Sequence, residues 1–188
     1  PDIAILIGDR LDMIPIALAL LPFNIPFAHI HGGEITEGAI DDRVRHALTK
    51  MANLHFVANQ SAGARVRSMG EEAWRVYVTG APGLDTLKAT EGMDKVTFAK
   101  AVGISNIDRL RLVTVHPETN SPNPLAPIVA VLEALDMDET PTLFTAPNSD
   151  PGGVELRDKI DRFVASRPWA HFRHTLGPLY CNALRHAS

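Results

Sequence analysis

The chain opens with the stretch that indicates its fold class, Pro1-Asp2-Ile3-Ala4-Ile5-Leu6-Ile7-Gly8-Asp9-Arg10. Ile3 to Ile7 is an unbroken apolar run that stops at Gly8, which predicts a strand buried on both faces. A helical segment follows from about Leu11 to Leu21, and the next apolar run covers Pro26 to Ile30. A strand, a helix and a strand in this order predict an α/β architecture with a parallel sheet.

The same alternation continues along the rest of the chain. Further strands are predicted at Leu54–Val57, Arg75–Val78, Leu110–Val115, Pro141–Ala146 and Trp169–Arg173. Further helices are predicted at Asp41–Ala52, Ser61–Met69, Leu125–Leu135, Gly153–Val164 and Leu179–His186. The Gly/Pro cluster at residues 79–83 is the best candidate for a crossing between domains. The economical interpretation is two doubly wound units, each of them incomplete.

Composition and charge exclude several classes of protein. The chain has 188 residues, of which 45% are hydrophobic and 21% charged, as is typical of a globular protein. A formal charge of -4 and a pI near 6.1 argue against a sequence-independent nucleic-acid binder, which normally carries a basic surface. The negative total still leaves room for a local basic pocket that binds a small anion.

The cysteine count and the apolar runs bear on location and partners. A single cysteine, Cys181, cannot form an internal disulfide, which fits a reducing compartment, so we expect a cytoplasmic protein. No apolar run approaches the roughly 18 residues that a spanning helix needs, so no membrane partner is expected. The chain begins without Met inside a predicted strand and stops in a helical pattern at residue 188, which predicts a fragment of a longer protein.

Polar clusters follow four of the predicted strands, where ligands bind in open α/β sheets. A lone acid after a strand often does no more than cap a helix, but four clusters at four strand ends predict a site. The clusters are Gly8-Asp9-Arg10, His29-Ile30-His31-Gly32-Gly33-Glu34, His116-Pro117-Glu118-Thr119 and Pro147-Asn148-Ser149-Asp150.

Two charge pairs within these regions have alternative interpretations. Asp9 and Arg10 either satisfy one another or divide the work, with the carboxylate moving a proton and the guanidinium binding a phosphate oxygen. Asp41 and Arg45 are spaced i, i+4 on one predicted helix face. Such a pair is either part of a site or an exposed helix support worth roughly 0.2–0.5 kcal/mol.

The histidines and glycines argue against a metal or a bound nucleotide cofactor. His29 and His31 alternate along an extended segment, which predicts side chains on opposite faces. No His/Cys cluster has zinc-like spacing, so no metal site is expected. Neither G-x-x-x-x-G-K-[ST] nor G-x-G-x-x-G occurs, so no cofactor is expected. His116 is either a satisfied buried histidine or a contact with a phosphate or leaving group.

Several of these stretches closely resemble the hydrolysing UDP-N-acetylglucosamine 2-epimerases of sialic acid synthesis. The first three are Ile7-Gly8-Asp9-Arg10, the run His29–Asp42, and Arg45-His46-Ala47-Leu48-Thr49-Lys50. Gly80–Asp85, Val115–Thr119 and Pro147–Gly153 continue the resemblance in the same order. The match therefore covers nearly the whole chain. Its long central motif is specific, whereas the three residues Gly8-Asp9-Arg10 alone would be weak evidence.

The resemblance implies two Rossmann-like domains of the glycosyltransferase-B type, both incomplete in this chain. Residues 1–86 would be the C-terminal half of the first domain, and residues 87–188 the first part of the second. The implied partner is a UDP-sugar, with no nucleic acid and no membrane, and the full-length enzyme is expected to be a homo-oligomer. The fragment alone is expected to be inactive.

The reaction that the resemblance implies eliminates UDP across C1 and C2 of the sugar to give a 2-acetamidoglucal. Water then adds, which inverts C2 and releases N-acetylmannosamine. Asp9 and Asp41 match the catalytic carboxylates of the family, and Arg45 matches a helix arginine beside the sugar. The positions that match nucleotide or diphosphate contacts are Arg10, His116 and Asn148.

One position departs from part of the family. Where relatives have a carboxylate two residues after the first histidine of the motif, this chain has His31. Either His31 performs that acid/base step, or Glu34 substitutes for the carboxylate across the Gly32-Gly33 turn. We favour His31 because it is the positional match.

Three other functions remain open. One is hydrolysis of a related UDP-diacetamido-sugar, as in legionaminic acid synthesis, and a second is a nucleotide-sugar-binding module without catalysis. The third, a non-hydrolysing 2-epimerase, is disfavoured. Its pattern resembles E-A-G-L-R-T where this chain reads His31-Gly32-Gly33-Glu34-Ile35-Thr36.

Overall fold

A computed structural model describes residues 1–187, and these residues form two compact units. The units are Pro1–Asp85 and Thr86–Ser188. That each unit is part of a larger Rossmann-like domain stays a prediction.

The first unit is a parallel four-stranded sheet with helices between its strands. Its elements are β1 (Ala4–Ile7), α1 (Met13–Leu20), β2 (Phe27–Ile30), α2 (Asp41–Met51), β3 (Leu54–Val57), α3 (Gln60–Ser68) and β4 (Val76–Val78). The strands pair in chain order, β1-β2-β3-β4. All three pairings are parallel, and the carboxyl ends of the strands therefore meet at one edge of the sheet.

The second unit repeats this plan around three parallel strands in the order β5-β6-β7. α4 (Pro82–Ala89) spans the boundary between the units. The elements that follow are α5 (Lys95–Val102), β5 (Arg111–Val113), α6 (Ala126–Leu135), β6 (Thr142–Thr145), α7 (Gly153–Ala165), β7 (Ala170–Arg173) and α8 (Tyr180–His186). Parallel sheets in both units confirm the predicted α/β class.

The prediction that the first strand is buried on both faces is wrong. Leu6 of β1 is buried, but Ile5 is 66% exposed and Ile7 is 52% exposed. Strand side chains alternate between faces, and β1 is an edge strand of the sheet. Leu6 belongs to a core that α1 and α2 complete through Ala17 and Leu48. The opposite face of β1 has no such cover within residues 1–187.

The sheet of the second unit is covered on both faces. Leu143 and Phe144 are neighbours in β6, so their side chains point to opposite faces, and both are fully buried. Leu143 packs in a core with α5 and α8, and Phe144 packs in a core with α6 and α7. All four residues of β6 are buried, as expected for a central parallel strand, whereas only Leu6 is buried in β1.

Two helices, α4 and α5, were not predicted from the sequence. The side chain of Asp94 caps α5 by accepting hydrogen bonds from two backbone N–H groups, and Gly103 ends it in a left-handed conformation. α4 begins at Pro82, because a proline at the first helical position loses no hydrogen bond. The boundary between the two compact units lies within α4, after Asp85, and the Gly/Pro cluster at residues 79–83 remains the predicted crossing between domains.

None of the helices in residues 1–187 is both long enough and apolar enough to cross a membrane.

Candidate active site

The loop after β1 is held in place by hydrogen bonds to β2. Gly8 has a φ of +80°, which glycine adopts without steric cost. Its N–H donates to the carbonyl of Ile30 (3.0 Å), and its carbonyl accepts from Nε2 of His29 (2.8 Å). Both backbone polar groups of Gly8 are thus tied to the neighbouring strand. The next residue along the chain, Asp9, is placed by this turn.

Asp9 is paired with Arg45, which lies on α2. Arg45 is 5% exposed, and its Nη2 donates both to the carboxylate of Asp9 and to the hydroxyl of Thr36 (2.9 Å). Hydrogen bonds between ionised partners are about twice as strong as neutral ones, and one buried guanidinium here joins two loops to the helix. Arg45 Nε has no hydrogen-bond partner within the described part of the chain.

Arg10, predicted to contact the nucleotide, lies at the surface of the same loop. Its guanidinium hydrogen-bonds the carboxylate of Asp12 (3.2 Å), and both side chains are 58% exposed. The carboxylate of Asp9 thus pairs with a buried arginine from another element, whereas the guanidinium of Arg10 is exposed and pairs with Asp12.

The first turn of α2 carries two acids. Asp41 is the first residue of the helix and is half-buried. Asp42 accepts a hydrogen bond from the backbone N–H of Thr36 (3.1 Å) and lies 3.8 Å from Nε2 of His46. Carboxylates are favoured at a helix N-terminus because they face the positive end of its dipole. The loop between β2 and α2 is therefore anchored to the start of α2.

His31 and Glu34, the two residues between which the sequence left the third acid/base role open, are hydrogen-bonded to each other. His31 Nδ1 lies 2.7 Å from Glu34 Oε1, and the two side chains are 25% and 34% exposed. A carboxylate oxygen accepts hydrogen bonds, so Nδ1 is the donor in this pair and Nε2 is the ring nitrogen that does not contact Glu34.

The expectation that His29 and His31 alternate along one strand is wrong. β2 ends at Ile30, and His31 has a φ of +66° in the turn beyond it. The two-residue period of a strand does not extend across a left-handed residue.

The Gly-Gly turn is required by a close approach of the backbone to α3. Gly33 has a φ of +77°, and a Cβ there would collide with the carbonyl of Ala62 and the side chain of Val66. The carbonyl of Gly33 also accepts a hydrogen bond from Arg65. The turn that carries Glu34 is consequently packed on α3 in a way that only glycine permits.

In the second unit the structure brings His116 and Asn148 together. Each lies three residues beyond its strand, β5 or β6, and the backbone N–H of Asn148 donates to His116 Nδ1 (3.0 Å). A buried His116 was one of two alternatives from the sequence, and it is wrong because this side chain is exposed. Since Nδ1 accepts, Nε2 carries the proton and is a donor suited to a phosphate oxygen.

The loop that carries Asn148 is packed tightly against α7. A Cβ at Gly153, the first residue of that helix, would collide with the carbonyl of Asn148. The side-chain amide of Asn148 donates to Asp150, while its Oδ1 is buried with no hydrogen-bond partner among the described residues.

A second buried polar cluster lies away from the carboxyl ends of the strands. Glu71 is 6% exposed, hydrogen-bonds Lys50 and His55 Nε2 (3.1 Å), and forms an ion pair with Arg75 (3.0 Å). Burial alone would raise the pKa of Glu71, but the hydrogen bonds from Lys50 and His55 lower it overall. Burial lowers the pKa of His55 in turn.

Sequence reasoning placed His29 in a predicted polar cluster without predicting its partners, and it missed Thr36 and Thr49, which also hold the site together. The position of His29 in an apolar strand could have indicated a buried ring, and a buried histidine needs hydrogen-bond partners. The hydroxyls of Thr36 and Thr49 gave no signal, since their partners are distant in sequence. Within residues 1–187, no three His, Cys, Asp or Glu side chains are grouped so as to hold a metal ion.

A family model described as UDP-N-acetylglucosamine 2-epimerase matches residues 1–188. The chain is 30% identical over 185 residues to a UDP-N,N'-diacetylbacillosamine 2-epimerase (hydrolyzing) from Legionella pneumophila, covering 98% of this chain and 49% of that protein. It is 34% identical over 165 residues to a GDP/UDP-N,N'-diacetylbacillosamine 2-epimerase (hydrolyzing) from Campylobacter jejuni. That match covers 87% of this chain and 43% of the relative. The chain thus spans about half the length of the curated relatives it matches.

Among solved structures, the chain resembles the UDP-GlcNAc 2-epimerase from Neisseria meningitidis bound to UDP-GlcNAc. The TM-score is 0.77 at 20% identity, and the match covers 100% of this chain and 53% of the other. At this identity the likeness shows the fold alone, and it confirms the predicted fold class.

Proposed function

Because the chain belongs to the UDP-N-acetylglucosamine 2-epimerase family, we propose that it forms the acid/base part of a hydrolysing 2-epimerase of UDP-linked 2-acetamido sugars. The observation that carries this proposal is the arrangement at the carboxyl ends of β1 and β2. There the Asp9–Arg45 pair and the His31–Glu34 pair are both tied to structured elements. Acid/base groups at neighbouring strand ends are what the reaction needs.

The reaction has two steps, an elimination of UDP and an addition of water. A base removes the C2 proton, the C1–O bond to UDP breaks, and its electron pair leaves with the diphosphate as the C1–C2 double bond forms. Water then adds at C1 while an acid delivers a proton to the opposite face of C2. The first step needs a positioned base and cations for the leaving group, and the second needs an acid on the other face.

We assign the roles as follows. Asp9, Asp41 and the His31–Glu34 pair supply the base and the acid. Arg45 is nearly buried, so it acts beside the sugar mainly by holding the carboxylate of Asp9. The groups that contact the nucleotide or diphosphate are Arg10, His116 and Asn148, of which Arg10 and His116 are exposed.

Two sugars are candidates for the substrate. The sequence resemblance favours UDP-N-acetylglucosamine, which would be converted into N-acetylmannosamine and UDP. The names of the relatives that are 30% and 34% identical favour UDP-N,N'-diacetylbacillosamine instead. The chemistry at C1 and C2 is the same for both, so the residue assignments do not depend on the choice.

The experiment uses the natural polypeptide that contains residues 1–188, incubated with each UDP-sugar in deuterated water. The expected products are UDP and a free 2-epimerised sugar that carries deuterium at C2, because the lost proton is replaced from solvent. A product that is still linked to UDP would exclude hydrolysis. A free product without deuterium at C2 would exclude the proposed removal of the C2 proton.

The same assay tests the 188-residue chain by itself. Since the chain spans about half the length of its curated relatives, we propose that it turns over either sugar poorly or not at all. Turnover at the rate of the natural polypeptide would contradict this. Binding of UDP without turnover would support a nucleotide-sugar-binding fragment.

A further inference from the structure

His29 lies directly beneath the candidate site and joins two elements that carry it. The side chain is fully buried, and Nε2 is 2.8 Å from the carbonyl of Gly8, the residue before Asp9. Nδ1 is 3.1 Å from Oγ1 of Thr49, one turn along α2 from Arg45. A single ring therefore connects the loop of Asp9 to the helix of Arg45.

These two contacts determine the tautomer of the ring. A carbonyl oxygen only accepts, so Nε2 of His29 carries a proton and donates to Gly8. In a neutral ring, Nδ1 then accepts from the hydroxyl of Thr49. Burial lowers the pKa of His29 below its ordinary value of 6.5, which keeps the ring neutral although the bond to Gly8 opposes the shift.

The glycine at position 32 supports a role for this contact. Gly32 does not have a positive φ, so its backbone conformation does not demand glycine. A Cβ at this position would lie 3.0 Å from Thr49 Oγ1 and 3.1 Å from His29 Nδ1. Such distances are shorter than ordinary van der Waals contact, so a side chain would press on the hydrogen bond between His29 and Thr49.

We propose that His29 is a positioning residue that holds Asp9 in register with Arg45 through its hydrogen bonds to Gly8 and Thr49. This proposal rests on the function proposed for Asp9 and Arg45. His29 does not itself touch the substrate, because the ring is buried and both nitrogens are occupied. It acts by restricting the turn at Gly8, since a reacting group displaced by about 1 Å can lose on the order of 100-fold in rate.

The structural part of the test needs no activity. In the natural polypeptide labelled with 15N, the histidine signal that disappears in His29→Gln should belong to a neutral ring protonated at Nε2 at pH 7. A ring protonated at Nδ1, or at both nitrogens, would overturn the proposal. The guanidinium signal of Arg45 should shift in Thr49→Val and stay in place in Thr49→Ser. An unchanged signal in Thr49→Val would also overturn the proposal.

The kinetic part uses the same pair of variants. Thr49→Val keeps the shape of the side chain and removes the hydroxyl, so we expect kcat to fall by roughly 10-fold with KM changed by less than about threefold. Thr49→Ser should restore kcat to within about twofold, because the hydroxyl returns. A loss of structure alone would not be rescued in this way. Equal kcat values for Thr49→Val and the unaltered protein would contradict the proposal.

A matched control comes from the neighbouring strand. His55 pairs with His29 in the sheet register, is also fully buried, and donates to Glu71 instead of a residue of the site. His55→Gln should therefore lower the unfolding temperature and leave kcat within about twofold. If the unaltered protein turns over neither sugar, the proposed function fails, while the tautomer of His29 and the Arg45 signal still decide the positioning role.

Discussion

Among single residues, the hydrogen bond between His31 and Glu34 joins the two side chains proposed for the third acid/base role. Oε1 of Glu34 lies 2.7 Å from Nδ1 of His31, so the imidazole and a carboxyl group occupy the turn together. The carboxylate fixes the tautomer and orientation of the ring, as it does in catalytic triads. We therefore propose Nε2 of His31 as the ring nitrogen that exchanges a proton with the substrate.

Asp9 is the residue at which the acid/base assignment is tested most directly. Asp9→Asn keeps an oxygen that accepts from Arg45 and removes the ability to exchange a proton at neutral pH. General acid–base groups contribute typically 10²–10⁴-fold, so we expect UDP release to slow by about that factor while the unfolding temperature changes little. UDP release and circular dichroism of the natural polypeptide measure the two effects.

The matched control is Asp158→Asn, which neutralises an exposed carboxylate on α7. This variant should release UDP at the rate of the unaltered protein. Near-normal activity of Asp9→Asn would remove Asp9 from the catalytic groups.

At the scale of elements, β1 shows why a run of apolar residues is ambiguous. The run Ile3–Ile7 predicted a strand correctly, but the number of covered faces depends on which elements pack beside it. Residues of β6 are buried on both faces because four helices surround that sheet, two on each side. The helices α1 and α2 cover only the face of β1 that carries Leu6.

This difference can be measured in the 188-residue chain. Leu6→Ala should lower the free energy of unfolding by about 2–5 kcal/mol, because it removes a packed side chain from the core. Ile5→Ala should cost less than about 1 kcal/mol, because Ile5 is 66% exposed. Urea denaturation of both variants gives the two values, and similar losses would show that both faces of β1 are covered.

The buried histidines of β2 and β3 are expected to make the free energy of unfolding depend on pH. Burial lowers the pKa of His29 and of His55 below 6.5, so the unfolded chain binds more protons than the folded chain as the pH falls below that value. The free energy of unfolding should therefore be greatest above about pH 6.5 and decrease towards pH 5. Thermal unfolding followed by circular dichroism between pH 7.5 and 5 measures this dependence.

The variant His55→Gln serves as a control for the pH dependence, since it cannot titrate. Its unfolding temperature should decrease less steeply below pH 6.5 than that of the unaltered chain. Glu71, whose pKa is lowered overall, adds a separate loss of stability only below about pH 4.5. Parallel curves for the two proteins between pH 7 and 5 would show that His55 does not contribute.

At the scale of the whole molecule, the two units are expected to affect different kinetic parameters. Asn148→Ala removes a side chain from the loop beside His116. We propose that Asn148 and His116 both contact the nucleotide or diphosphate. If the lost contact acts only on binding and is worth about 1.4 kcal/mol, KM rises about 10-fold and kcat changes little. This is the result that we expect for Asn148→Ala. Asp9→Asn in the first unit should instead lower kcat, with a small change in KM.

Steady-state kinetics of the natural polypeptide with a UDP-sugar provide this comparison. Asn106→Ala, an exposed position in the loop before β5, is the control and should leave both parameters unchanged. A fall in kcat without a change in KM for Asn148→Ala would place Asn148 among the acid/base groups instead.

Local sequence patterns were sufficient to predict the α/β class, most of the strands and helices, and the family. These features depend on local periodicity and on motifs such as His29–Asp42, which are contiguous in the chain. The sequence did not indicate α5, although Asp94 and Gly103 at its two ends are ordinary helix-capping residues.

Which side chains meet depends on how the elements pack in three dimensions. Asp9 and Arg45 are 36 residues apart, and His29 and Thr49 are 20 apart, so no local pattern predicts either contact. Parallel strands and crossing helices bring these residues together at one edge of the sheet. The number of covered faces of β1 and the pairing of His31 with Glu34 depend in the same way on packing and on the conformation of a turn, which composition and spacing do not specify.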